Sequence, residues 1–347
     1  MRKPVKKILS VALAGSLLMS VFTGCSGGSQ NVSYTVEQAS TKEVMKVGEE
    51  TVTLDEVYLF IIQCAYTFGM DKKSAEESEP TYRSMILEQL QSSKTKYQVA
   101  LTADIEITEE DEKNIEEYVD RYYKTFGEEV FDKYGISRDA IRQLFLETKY
   151  IEKLENKAKE DLAKDYKEEA EKEYGDKTFV SVDYALFPVM KTDAEGNNVE
   201  MSASEKEAVK AKAEEFRQKV ASGADLKTLA SEYGVEGTTD TQRTFIGANQ
   251  EALDNVLKGM SNGDVPEVYE DSSGYMVMYM VNNNDTEYRN YFLESYASQK
   301  TDERYEVMQN AWLSAMNISD DDIIGDTWEK ISIVEVAEYM EKNKIGE

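Results

Sequence analysis

The side chains that enzymes use most often for nucleophilic and metal chemistry are scarce in this sequence. Among 347 residues there is no histidine, and the two cysteines are Cys25 and Cys64. Catalytic systems of the Ser/His/Asp and Cys/His types need an imidazole base, so they are excluded. The acidic run Asp320–Asp322 lacks the spaced ligands and central glycine of an EF-hand calcium loop. The sequence therefore predicts neither a metal site nor a cofactor.

Cys64 is expected to be structural. It follows the apolar run Leu59–Ile62, and no cationic side chain that would activate its thiol lies near it in sequence. A single thiol also cannot form an internal disulfide. We therefore predict that Cys64 is a small, buried apolar residue.

The first 24 residues have the composition of a signal peptide. Four cationic side chains precede an apolar core at residues 8–22, which is too short for a typical membrane span. Phe22-Thr23-Gly24-Cys25 resembles the lipobox of bacterial lipoproteins, although Phe22 is less usual than leucine. The resemblance implies cleavage after residue 24, lipidation of Cys25 and anchorage at the outer face of the cell membrane. The alternative is an ordinary signal peptide with a chance cysteine. Residues 25–43 are predicted to form a polar tether between the membrane and the folded part of the chain.

Charge and length exclude some classes of protein. Aspartate and glutamate number 68 against 40 lysines and arginines, which gives a net charge of −28. Nucleic-acid binding depends on clustered cations, so a nucleic-acid partner is not expected. A chain of 347 residues is long enough for about two domains, each with a core of its own.

The stretch from residue 178 to residue 283 contains the clearest pattern of strands and helices. Phe179–Phe187 and Tyr275–Val281 are rich in aromatic and β-branched residues and are bounded by turn residues, which predicts two strands. Between them, a long amphipathic helix is predicted, with two candidate capping boxes: Ser202 with Glu205, and Ser204 with Glu207. Asp225 is in position to cap the next helix, after a glycine that ends the first.

These elements resemble the parvulin-type prolyl isomerase domain in order and spacing. The matching pieces are Val180–Phe187, Ser222–Tyr233, Met260–Val265 and Gly274–Val281. Each piece alone also occurs in other families, and the resemblance depends on the order and spacing of all four. The resemblance implies a compact α/β domain that binds proline-containing segments of polypeptide.

The residues that the resemblance assigns to catalysis are altered. Tyr184 and Met276 stand where parvulins usually carry histidines, and the glycine-rich middle stretch is replaced by Thr238–Phe245. The phenylalanine and methionine of the family's proline pocket align with Leu253 and Gln250. Isomerisation of a prolyl bond needs an apolar pocket and a twisted amide but no nucleophile, so activity remains possible in principle. Because these changes occur together, we assign a catalytic role to none of these residues.

An apolar surface that binds unfolded clients is expected instead. Tyrosine and methionine pack on varied partners, and the chain has 22 Tyr and 14 Met. The candidate client-binding residues are Tyr184, Phe245, Leu253, Met260 and Met276.

The flanking segments are predicted to be mainly helical. Val44–Thr53 gives two short strands, and Thr53 begins a capping box for a helix over Leu54–Phe68. Further helices are predicted over Pro80–Leu101, after Thr108 and after Ser137. This arrangement resembles the N-terminal part of PrsA- and SurA-like extracytoplasmic foldases.

The C-terminal part is expected to return to the helical lobe. Residues 285–316 form an aromatic-rich helical stretch that needs a partner surface, which the resemblance places on the N-terminal lobe. The last piece, residues 328–340, is predicted as a short strand running into a helix, from the spacing of Ile331, Ile333, Val334 and Val336.

The sequence thus predicts an α+β protein. A helical lobe and arm over residues 44–177, completed by residues 285–347, would carry an inserted parvulin-like domain at residues 178–284. The predicted function is a lipid-anchored, extracytoplasmic chaperone for unfolded secreted polypeptides, with a catalytically degenerate parvulin-like domain. An active prolyl isomerase and a solute-binding lipoprotein remain the alternatives, and a homodimer remains open.

Overall fold

The computed structural model describes residues 33–237, 240–319 and 322–345. Cys25, the predicted signal peptide and the first part of the predicted tether lie outside the described residues, as do Asp320 and Asp321. In the described part, no helix is both long and apolar enough to cross a membrane.

The described elements are helical segments with two short strands before residue 54 and a second group of strands between residues 179 and 282. The helices are α1 (Val36–Ser40), α2 (Leu54–Phe68), α3 (Lys72–Thr102), α4 (Glu109–Phe126), α5 (Glu128–Tyr134), α6 (Arg138–Tyr174), α7 (Ala203–Ala221), α8 (Leu226–Tyr233), α9 (Glu251–Lys258), α10 (Thr286–Met316), α11 (Gly325–Trp328) and α12 (Ile333–Asn343). The strands are β1 (Glu43–Val47), β2 (Glu50–Thr53), β3 (Phe179–Pro188), β4 (Met190–Thr192), β5 (Asn198–Glu200), β6 (Glu236–Gly237), β7 (Gln242–Phe245), β8 (Tyr269–Glu270) and β9 (Gly274–Asn282). This mixture confirms the predicted α+β class.

Two units divide the chain. The helical unit extends to Leu162 and resumes at Asp302, and the sheet unit is Ala163–Thr301. Helices α6 and α10 each contribute residues to both units. The domain limits inferred from the sequence, residues 178 and 284, remain a prediction.

The core of the helical unit joins both ends of the chain. Helix α12 buries Ile333, Val336 and Ala337 in the same cluster as α2 and α3. The guanidinium of Arg83 lies 5.0 Å from the ring centroid of Trp328 and donates a 3.1 Å hydrogen bond to its carbonyl oxygen. The segment after α10 therefore packs on the helices that precede α6.

The prediction of a short strand near Ile331 is wrong. The hydroxyl of Ser332 accepts a 3.1 Å hydrogen bond from the backbone N–H of Glu335 and so caps α12. The buried residues Ile333, Val336, Ala337 and Met340 follow at the spacing of one helical face. The apolar alternation that suggested a strand is the start of this helical stripe.

The helix predicted to begin at Pro80 begins earlier. Helix α3 starts at Lys72, and the Asp71 carboxylate caps it by accepting a 2.7 Å hydrogen bond from the N–H of Ser74. Proline has no N–H to donate, and its ring clashes with the preceding turn, which kinks a helix. The kink falls at Ser78, where φ is −126° and ψ is 17°.

The sheet unit is built on one antiparallel sheet. Its strand order is β6-β3-β9-β8, and β7 pairs with β3 along the same edge as β6. Strands β3 and β9 match the two strands predicted from the sequence to within one residue at each end. At the start of β9, Gly274 has φ +149°, and a Cβ there would lie 2.2 Å from the Phe187 carbonyl oxygen, so only glycine fits.

The two faces of this sheet carry separate apolar clusters. Helices α7 and α8 cover one face, with Phe216 and Leu229 packed on Ala185, Phe187 and Val277. Of the two candidate capping boxes, that of Ser202 and Glu205 is present at the start of α7, where Ser202 donates its N–H over 2.8 Å to the carboxylate of Glu205. The opposite face holds the candidate site described below.

The aromatic residues of α10 pack in two different places. Tyr288 and Phe292 contact Phe179 within the sheet unit, with ring centroids 5.7 Å and 5.3 Å away. Tyr305, by contrast, lies in the helical unit, where the Lys159 ammonium sits 5.1 Å from its ring centroid. That this aromatic stretch packs on the N-terminal lobe remains a prediction.

Candidate functional site

The pairing of β3 with β9 gathers methionine and aromatic side chains on one face of the sheet, which we call the α9 face. Because side chains alternate along a strand, every second residue of each strand lies there. In the observed register, Val182 faces Met280, Tyr184 faces Met278, and Leu186 faces Met276. The sequence predicted both strands, but this register decides which of their residues meet.

Helix α9 covers this face with an apolar stripe. Leu253, Val256 and Leu257 recur at helical spacing, and Met260 follows one turn later. All four belong to the same apolar cluster as Met278 and the neighbouring strand residues. The helix thus supplies the second wall of the site.

Polar contacts fix both ends of α9. In the first turn of the helix, the Asp254 carboxylate accepts hydrogen bonds from two groups that precede it, the N–H of Gly247 at 2.9 Å and the side-chain amide of Asn249 at 2.8 Å. After it, the side-chain amide of Asn283 donates a 3.2 Å hydrogen bond to the Met260 carbonyl oxygen. Gly263 donates its N–H over 2.8 Å to the carbonyl oxygen of Met280. The stripe is held in register with β9.

The cluster is buried on one side and reachable on the other. Met260, Met278 and Met280 are buried. Tyr184, Leu253 and Met276 are half-buried, and we call these three the accessible patch. A polypeptide that binds this face would touch the accessible patch first.

Two predicted site residues lie elsewhere. Gln250 is exposed and is the N-cap residue of α9. Phe245 pairs with Phe179 across β7 and β3, and its ring packs against Tyr174 and Phe292. Phe245 therefore belongs to a separate aromatic cluster, because the end of β7 lies next to Tyr174 of α6 and Phe292 of α10.

One residue of the site was missed. Tyr269 of β8 pairs with Met276 and packs on the same apolar cluster. The turn residues Asp271–Gly274 signal a hairpin, and counting back from Tyr275 through that turn would have placed Tyr269 opposite Met276.

The chemistry available on the α9 face is limited. Its apolar cluster includes the phenols of Tyr184 and Tyr269. The carboxylate of Asp183, next to Tyr184 in the chain, lies 3.4 Å from the ammonium nitrogen of Lys227. The face offers apolar surface and phenolic hydroxyls, which suit binding better than general acid–base chemistry.

The described residues also lack a metal centre. No group of three or more cysteine, aspartate and glutamate side chains in the described ranges is arranged to hold a metal ion.

Comparison with protein families identifies the domain that carries this face. Residues 186–282 match the Rotamase family, described as the PPIC-type PPIase domain. Gln250, Leu253 and Met276 fall inside the match, and Tyr184 lies two residues before it. No curated protein matches this sequence significantly.

Several solved structures resemble the chain loosely. The foldase PrsA from Lactococcus lactis is 14% identical, with 88% of this chain and 94% of that chain covered and a TM-score of 0.32. PrsA from Bacillus subtilis is also 14% identical, with coverages of 79% and 91% and a TM-score of 0.25. A SurA-like chaperone of Campylobacter jejuni is 11% identical, with coverages of 79% and 96% and a TM-score of 0.27.

Because these backbones superpose poorly, the assignment depends on the sequence match of the central domain. That match, together with the sheet and helices that it spans, confirms the parvulin-like domain expected from the sequence. This chain carries a PPIC-type peptidylprolyl isomerase domain over residues 186–282, within a protein that resembles the PrsA- and SurA-like foldases.

Proposed function

We propose that this protein is a lipid-anchored, extracytoplasmic chaperone that binds unfolded secreted polypeptides through a catalytically degenerate parvulin-type domain. The observation that carries the proposal is the accessible patch of Tyr184, Leu253 and Met276. It keeps an apolar surface on the α9 face while the family's two histidine positions read Tyr184 and Met276.

The physical reason is the difference between binding and catalysis. An extended apolar segment gains free energy by burying surface, at about 25 cal/mol per Å². Faster isomerisation needs more, because the ~20 kcal/mol barrier falls only if the twisted amide is bound better than the planar one. A patch of flexible thioether and aliphatic groups provides burial without that selectivity.

Two assays on the purified mature chain test the proposal together. We expect it to suppress aggregation of an unfolded client at near-stoichiometric ratio. In a proline-containing peptide it should barely accelerate cis/trans exchange, measured by exchange NMR. Isomerase turnover well above the uncatalysed rate, abolished by Tyr184→Phe, would instead make the protein an enzyme with Tyr184 in place of a histidine.

The anchor is a separate part of the proposal. Its support is the lipobox-like sequence before Cys25, which lies outside the described residues. Replacing the lipidated thiol should release the protein, so Cys25→Ser is expected to move it from the membrane fraction to the soluble extracytoplasmic fraction. Equal membrane retention of the variant, measured by fractionation and immunoblotting, would contradict lipid anchorage.

A further inference from the structure

The helical unit contains a cavity that the parvulin-type domain does not use. It has a volume of about 270 Å³ and lies between α2, α3 and α6. Its apolar wall is formed by Phe60, Cys64, Met85, Leu144 and Ile151. We call it the helical-unit pocket.

Each of the three helices presents a periodic stripe to this space. Helix α3 contributes Met85, Gln89 and Ser93, which are four residues apart and therefore lie on one face. On α2, Phe68 is 58% exposed although it lines the pocket, so a large apolar ring lies at the opening. These faces surround open space rather than another side chain of the unit.

A buried ionic group forms one side of the pocket. Glu147 lines it and is only 6% exposed. The Lys94 ammonium lies 2.8 Å from the Glu147 carboxylate and 2.5 Å from that of Glu56, and Gln143 donates a further 3.1 Å hydrogen bond to Glu147. Lys94 reaches both oxygens of Glu147, at 2.8 and 3.0 Å. Two carboxylates share this one ammonium, so the formal net charge of the three described groups is −1. Burial raises the pKa of Glu147 above its ordinary value, although Lys94 opposes the shift.

The rim is polar but uncharged. Gln63, Thr67, Gln89 and Thr148 complete the lining. Amide and hydroxyl side chains both donate and accept hydrogen bonds. They can therefore pair with the free N–H and C=O groups of an extended polypeptide.

Size restricts the occupant. Pockets for drug-sized molecules occupy roughly 300–1,000 Å³, and 270 Å³ is below that range. The volume suits one large side chain, and methionine in the wall adapts to different shapes. The charge of the ionic group, and the net charge of −28 on the whole chain, favour a cation beside that side chain.

We propose that the helical-unit pocket is a second client site, which takes one large apolar side chain of an unfolded segment with a lysine or arginine next to it. The proposal rests on the proposed chaperone function and adds a specificity that the accessible patch does not have. The apolar side chain fills the space between the three helices, and the neighbouring cation faces Glu147.

Cys64 supplies a direct reporter, because it lines the pocket. In the mature chain with Cys25→Ser it is the single thiol, so the rate of its alkylation by N-ethylmaleimide measures access to the pocket. The probe is an unstructured Gly/Ser peptide with a central Phe-Arg pair. We expect it to slow alkylation at least about fivefold at saturation. An Ala-Arg peptide should have no effect, and a Phe-Glu peptide should bind on the order of tenfold more weakly.

Two variants separate the apolar and ionic contributions. Ser93→Met should fill the pocket, slow alkylation without peptide and remove the peptide effect; Ser92→Met, next to it on α3 but outside the lining, is the matched control. Glu147→Gln keeps the side-chain shape and should abolish the preference for Phe-Arg over Phe-Glu. Circular dichroism melting confirms that each variant is folded.

Anisotropy of dye-labelled peptides provides a second readout that does not depend on thiol reactivity. A Phe-Arg affinity unchanged by Ser93→Met would overturn the second site, even if the protein still suppresses client aggregation. Equal protection of Cys64 by free phenylalanine amide would also overturn it, in favour of a small-solute pocket. Loss of aggregation suppression in the unmodified chain would instead count against the proposed function itself.

Discussion

At the scale of single residues, the side chains on one face of β9 differ in burial. Met278 and Met280 are buried beneath α9, whereas Met276, on the same strand face, is half-buried. Substitution of the first two would damage the core of the domain. Substitution of Met276 would change the half-buried surface that we propose clients reach.

A charge placed in the accessible patch tests this distinction. Met276→Asp and Leu253→Asp should each weaken client binding by about tenfold or more, because an unpaired charge resists burial against an apolar partner. Gln250→Asp is the matched control, since it adds the same charge three residues before Leu253 at an exposed N-cap where aspartate is favourable. Binding is measured by titrating a labelled unfolded client, and equal losses in all three variants would contradict the assignment.

A second residue-scale prediction concerns the capping box at α4. The Asp111 carboxylate accepts hydrogen bonds from the N–H and hydroxyl of Thr108 at 2.8 and 2.7 Å, and it pairs with Lys153. The Lys153 contact and these hydrogen bonds hold the pKa of Asp111 well below its usual range. Asp111→Asn should therefore lower the free energy of unfolding by about 1 kcal/mol at pH 7.

The pH dependence of that loss has a definite sign. A carboxylate with a lowered pKa in the folded state contributes stability above its unfolded pKa, about 3.9, and loses it as the pH falls toward the folded value. The difference between wild type and Asp111→Asn should therefore shrink below about pH 4. Urea denaturation at several pH values measures it, and a difference that grows on acidification would refute the assignment.

At the scale of elements, the ends of two long helices complete the sheet unit. Tyr174 of α6 and Phe292 of α10 pack against each other, with ring centroids 5.1 Å apart, and both contact Phe245. The Asp285 carboxylate accepts hydrogen bonds from the hydroxyl of Ser181 in β3 and, at 2.9 Å, from the N–H of Tyr288. The strands at 178–284 therefore depend on residues outside those limits.

A comparison of two fragments checks this dependence. Residues 163–301 retain the aromatic cluster and should unfold cooperatively. Residues 178–284 expose Phe179 and Phe245 and should melt at a lower temperature, because burial of an aromatic side chain contributes about 1.5–3 kcal/mol. Equal melting temperatures by circular dichroism would show that the helix ends add nothing to the domain.

Local signals in the sequence predicted the elements better than the contacts between them. Capping residues such as Thr53 and Ser202 act on their own helix, so α2 begins where the sequence predicted and α7 begins after one of its two candidate caps. The position of Phe245 depends on helix ends far along the chain, and no local pattern encodes it. The site was therefore predicted in part: Tyr184, Leu253, Met260 and Met276 share one cluster, and Gln250 and Phe245 do not belong to it.

At the scale of the whole molecule, the full sequence carries a net charge of −28, which should influence encounter with the proposed clients. Long-range attraction between a strongly acidic protein and a basic polypeptide raises the association rate, and salt screens it within about 10 Å at 0.1 M. The chain should thus capture basic unfolded segments faster than acidic ones.

The salt dependence of capture tests this. Raising ionic strength from about 0.05 to about 0.5 M should slow association with a basic unfolded client roughly tenfold and should speed association with an acidic one. Stopped-flow fluorescence measures both rates, and an uncharged client serves as control. The same salt response for all three clients would contradict electrostatic steering.

The row of thioethers on β9 has a consequence for redox damage. Oxidants convert methionine to its sulfoxide, which replaces a flexible apolar group by a polar one and which dedicated reductases can reverse. Met276 is half-buried while Met278 and Met280 are enclosed, so oxidation would begin at the edge of the α9 face and leave the core intact at first. A protein that works outside the cytoplasm would then lose its apolar binding surface before it loses its fold.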